Sequence, residues 1–84
     1  MNSIPLVVHA EHVSGYRVRL TFDDGVTGTV DFEPWLRGPV FEPLREVEAF
    51  RQFVLEGGTV AWPATGADIA PETLHRSALE GRAA

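Results

Sequence analysis

The run Tyr16-Arg17-Val18-Arg19-Leu20-Thr21-Phe22 alternates strictly between apolar and polar residues, and it constrains the fold more than any other stretch. Period-two alternation is the signature of a strand with one buried and one solvated face. The following run, Val26-Thr27-Gly28-Thr29-Val30-Asp31-Phe32, alternates as well, and Asp23-Asp24-Gly25 lies between the two. Parity selects the connection. A two-residue loop would set Phe22 against Thr27 and mix apolar with polar along the ladder. A three-residue loop pairs Phe22 with Val26, Leu20 with Gly28, Val18 with Val30 and Tyr16 with Phe32, so every apolar side chain shares one face. It also places Gly25 at the left-handed position that such loops require. On the polar face Arg17 falls opposite Asp31 and Thr21 opposite Thr27.

A second hairpin is written in Phe53-Val54-Leu55-Glu56, Gly57-Gly58 and Thr59-Val60-Ala61-Trp62. Here a two-residue loop is expected, because both central residues of a type I′ turn have positive φ. It pairs Leu55 with Val60 and Phe53 with Trp62 on an apolar face, and Glu56 with Thr59 on the other; Pro63 ends the strand. An earlier strand from about Leu6 to Val13 alternates imperfectly and turns at Ser14-Gly15 into the first hairpin.

Between the hairpins, Glu33 to Pro39 reads as an irregular connection with one helical turn at Pro34–Leu36. Leu44, Val47 and Phe50, spaced by three, predict a short amphipathic helix or two consecutive turns over about Pro43 to Gln52. Ala64 to Ala67 reads as a loop. Pro71 opens a terminal helix that turns Leu74, Ala78 and Leu79 inward and that Gly81 ends. The expected architecture is α+β: an N-terminal antiparallel three-strand meander, a short helix, a second β-hairpin and a C-terminal helix. It forms one domain over residues 1–84, with 1–3 and 82–84 frayed.

Composition narrows the function classes. The 84 residues carry a formal charge of −5, contain no cysteine, and draw all seven basic side chains from arginines scattered between Arg17 and Arg82. Nonspecific nucleic-acid binding needs clustered cations, so direct nucleic-acid binding is not expected. Neither disulfides nor a thiolate metal site can supplement the core. Met1 to Leu6 lacks the features of a signal peptide, and no apolar run approaches the ~18 residues needed to span a bilayer. The expectation is a cytoplasmic protein without membrane contact.

No catalytic constellation stands out. His9 and His12 are three apart, which on a strand points them to opposite faces, and His75 is isolated; no metal or other cofactor is expected. Asp23-Asp24-Gly25 reads as a solvated turn and Gly57-Gly58 as a hairpin tip, not a phosphate cradle. The least generic segment is Trp62-Pro63-Ala64-Thr65-Gly66-Ala67-Asp68-Ile69. Trp62 can anchor the core while its indole N–H finds an acceptor. Gly66 permits a turn, and the Asp68 carboxylate is placed to accept first-turn amides of the terminal helix. Trp62, Pro63, Gly66 and Asp68 are therefore the candidate loop, structural or binding. Arg17, Arg19 and Asp31 form a candidate interaction face on the first hairpin.

Three stretches carry a resemblance: Asp23-Asp24-Gly25-Val26-Thr27-Gly28-Thr29-Val30-Asp31, then Val40-Phe41-Glu42-Pro43-Leu44, then Gly58 to Pro63 with Gly66 to Glu72. Together they look like the bacterial family of domains of unknown function numbered 2442, over about Val8 to Leu74. Ala64-Thr65 stands where many members have one residue before the glycine. The resemblance implies a small cytoplasmic α+β fold with no established catalytic residues to carry over. Some relatives precede a helix-turn-helix domain, and others are encoded beside another small protein in arrangements like toxin–antitoxin pairs. The expected function is thus a non-enzymatic interaction or regulatory module, the antitoxin-like member of a small-protein pair. Its partners would be a small protein encoded nearby or a second copy joined through a strand edge. The alternative is a ligand-binding or enzymatic domain that uses the Trp62–Asp68 loop.

Overall fold

The computed structural model describes residues 4–83. Strands β1 (Val7–Ser14), β2 (Arg17–Phe22) and β3 (Thr27–Asp31) form an antiparallel meander in the order β1-β2-β3. The β2–β3 register follows parity: Val18 faces Val30, Leu20 faces Gly28, and Arg17 faces Asp31. Phe22 N–H donates to Val26 O at 2.8 Å and closes the three-residue loop, with Gly25 at φ 90°. The uneven pattern of β1 has a physical origin. The pairing shifts between Val7 and His9, so Val8 is an extra residue in a bulge and stands 55% exposed, while Val7 stays buried.

A 3-10 turn at Glu33–Trp35 leads into a one-turn helix α1 (Gly38–Phe41), a second 3-10 turn at Glu42–Arg45, and α2 (Val47–Phe50). The expected helix is thus two consecutive turns. Glu46 is extended at ψ 118°, and this break resets the buried face. Leu44 and Phe50 point into the core, whereas Val47, expected to join them, is half-exposed.

The second hairpin, β4 (Val54–Glu56) and β5 (Thr59–Trp62), pairs Leu55 with Val60 and Glu56 with Thr59 across the two-residue Gly57-Gly58 turn. Both glycines take positive φ, 61° and 78°, as a type I′ turn demands. Ala64 to Gly66 form the expected loop, but Ala67, expected to belong to it, opens a further strand, β6 (Ala67–Asp68), which returns along β5 with Trp62 opposite Ala67. A second three-stranded sheet, β4-β5-β6, results. Its central strand is buried throughout, including Thr59, whose hydroxyl donates to the Ile69 carbonyl. The terminal strand β4 is correspondingly open, so Leu55 is exposed although its partner Val60 is not.

Helix α3 (Pro71–Ala83) packs on β3. Leu74 and Ala78, one turn apart, are fully buried; Leu79, expected to face inward, lies about 100° further round and is exposed. Gly81, expected to end the helix, lies within it, since glycine weakens a helix by about 1 kcal/mol without forbidding it. Of the residues expected to fray, 1–3 and 84 fall outside the described residues, whereas 82 and 83 continue α3.

The two sheets are joined by a backbone hydrogen bond. Val7 N–H donates to Gly58 O at 2.8 Å, and a Cβ on Gly58 would come within 2.7 Å of the Leu6 side chain. Phe32, Phe50 and Trp62 form an aromatic centre, with Trp62 ring centroids 5.9 Å from Phe32 and 5.6 Å from Phe50.

Candidate functional site

The candidate loop is a tight turn between β5 and β6. Trp62 O accepts the N–H groups of Thr65 and Gly66, and Gly66 takes φ 75°, a left-handed value that glycine adopts without strain. Pro63 is exposed at the start of the turn, where its missing N–H costs nothing. Trp62 is buried, and its indole N–H donates to the Phe50 carbonyl at 2.8 Å. The turn thus hangs from a core anchor.

Asp68 behaves differently from the expectation. It sits in β6 opposite Ala61, exposed, and the amides of Thr73 and Leu74 both donate to Ala70 O instead of to its carboxylate. Strand pairing holds Asp68 in the ladder, three residues short of the helix, which is too early for a cap.

Two concavities flank this turn. The first, about 350 Å³, is lined by Leu44, Glu48, Ala49, Gln52, Trp62, Ala64 and Thr65. Its surface is chiefly apolar, with Glu48, Gln52 and Thr65 supplying polar groups. The second, about 340 Å³ and shallower, is lined by Trp35, Arg37 and Phe41 from the β3–α1 connection and by Asp68, Ile69 and Thr73 from β6 and α3. Trp62 and Asp68, one candidate site in the sequence, therefore line different concavities. Trp35, Arg37 and Glu48 were not singled out from the sequence: the chain brings them in from separate elements, and only the apolar spacing around Leu44 hinted at a surface there.

Arg17, Arg19 and Asp31 share the exposed outward face of the first sheet. Arg19 of β2 pairs with Glu11, opposite it on β1, at 2.5 Å, with both side chains about half exposed, so screening leaves little net energy. Asp31 accepts the Glu33 N–H at 3.0 Å and so caps the chain leaving β3. The face carries charge, but no concavity gathers it.

His9 and His12 point to opposite faces of β1. His9 is exposed, while the His12 ring lies edge-on to Phe50 at 6.1 Å and its Nε2 is 2.9 Å from Gly15 O. His75 is not isolated. Its Nε2 lies 2.8 Å from Asp24 Oδ2, and its ring meets Phe22 edge-on. The Val26 N–H holds the Asp24 carboxyl below its usual range; desolvation opposes it, and the hydrogen bond and charge of His75 add further lowering. Among the described residues no group of three or more His, Cys, Asp or Glu could hold a metal ion. No helix among them is long and apolar enough to cross a membrane.

A three-strand meander, a second small sheet and one packed helix around an aromatic centre define a small α+β domain. The chain belongs to the family described as protein of unknown function (DUF2442), whose model matches residues 7–80. No curated protein and no solved structure matches it.

Proposed function

We propose that this domain is a non-enzymatic protein-interaction module of the cytoplasm, the antitoxin-like or regulatory member of a small-protein pair. The observation that carries the reading is the chiefly apolar 350 Å³ concavity beside the Trp62 turn, open to solvent and set on a rigid anchor. An open apolar depression rimmed by a few polar groups is the form of a contact surface. The net charge of −5 favours a protein partner over nucleic acid. Coexpression with the product of the neighbouring gene, followed by purification through a tag on either chain, is expected to yield a complex. No complex at micromolar concentration would sink the reading.

A second reading has one specific observation in its favour. The same concavity lies within the size range of small-ligand sites, and Glu48, Gln52 and Thr65 line it among apolar residues. A ligand there would raise the melting temperature by mass action. A broad metabolite screen by thermal shift separates the readings: a saturable stabilisation lost in Gln52→Ala favours the ligand.

A further inference from the structure

The second concavity has features that the interaction reading leaves unused. Its floor is the half-buried Trp35, Phe41 and Ile69, an apolar surface left open to water. Its two walls carry one charge each, Arg37 on the connection after β3 and Asp68 on β6. Among the described residues neither side chain makes an ion pair or a hydrogen bond, with each other or with any neighbour. The wall strand β6 is also one of the two terminal strands of its sheet, the side away from β5 having no strand beside it.

We propose that this groove seats a short extended peptide segment of a partner protein, an aromatic or large aliphatic residue flanked by one acid and one base. The inference rests on the interaction-module reading and names the chemistry of the partner. The apolar residue covers Trp35, Phe41 and Ile69. The acid meets the planar Arg37 guanidinium, which suits a carboxylate, and the base meets Asp68. A phosphate backbone fits poorly, because Asp68 repels it. A single small ligand would leave much of so shallow a floor wet, whereas a peptide covers it.

The test uses the full chain and two end-blocked pentapeptides. One has the order glycine, glutamate, phenylalanine, lysine, glycine; the other has glutamine in both charged places. Backbone amide NMR shifts are followed during titration. The expected result is saturable shifts over residues 35–41 and 67–73, with the charged peptide binding about fivefold more tightly at low salt. Arg37→Gln and Asp68→Asn, both at exposed positions, are each expected to remove about half of that preference on the logarithmic scale while leaving the rest of the spectrum in place. Equal affinity for the two peptides, shifts confined to the Trp62 concavity, or no saturation overturns the proposal. The double variant separates its failure from failure of the parent reading. If the coexpressed neighbour copurifies equally with Arg37→Gln/Asp68→Asn, the groove assignment falls and the interaction module stands.

Discussion

Gly28 shows how much one missing methyl group decides. It lies mid-strand on the buried face of β3, and an added Cβ would sit 2.7 Å from the Ala78 carbonyl oxygen and 3.1 Å from the Ala78 Cβ. Both obstacles belong to helix α3, and the nearer is backbone, which cannot swing away. Gly28→Ala is therefore expected to destabilise the domain by about 1–3 kcal/mol, read as a lower urea midpoint with an unchanged slope. The alternation around Gly28 placed it on the core face from sequence alone. Its partner was not legible, because residues 28 and 78 meet only once the helix has docked. Trp62 was legible in kind: a large ring with one donor beside a proline reads as an anchor, while the Phe50 carbonyl as its acceptor emerges only in three dimensions.

At the scale of elements, the hairpins were the readable part, since a period of two and a glycine turn fix register locally. The bulge at Val8, the break at Glu46 and the short strand β6 were not, because each depends on what the neighbouring element requires. The same holds for the tie between the first hairpin and α3, in which Asp24 accepts the Val26 N–H and reaches His75. Asp24 has a lowered pKa in the folded state. Its contribution is therefore fully present above the ordinary carboxylate range and is lost as the pH falls through the folded value, below about pH 4. Denaturation midpoints measured from about pH 6 down to about pH 2.5 are expected to fall less steeply for Asp24→Asn than for the parent. Identical slopes would show that the carboxylate contributes nothing at the hairpin tip.

For the whole molecule, the distribution of exposure matters more than its total. Central strand β5 is buried on both sides, and terminal strand β4 is open along its length, with Val54 and Leu55 both in water. No lysine and no proline guards that edge, although these are common means of keeping strand edges apart. A second copy of the chain is expected to pair there at high concentration. Light scattering should show mass rising with concentration in the parent and constant in Leu55→Lys. Equal behaviour of the two would place any self-association elsewhere. Sequence reasoning named the strand and its apolar residues. It could not say which strand would be terminal, since that follows from β6 claiming the other side of β5.

The two tryptophans divide the molecule between them. Trp62 is sealed among aromatic rings with its indole bonded to backbone, whereas Trp35 is half-open in the second concavity. Their fluorescence therefore reports different events. The blue-shifted emission of Trp62 follows global unfolding, and quenching by iodide reaches Trp35 first. A Trp35→Phe variant would leave an intrinsic gauge of the core, and Trp62→Phe, if it folds, an intrinsic gauge of occupancy.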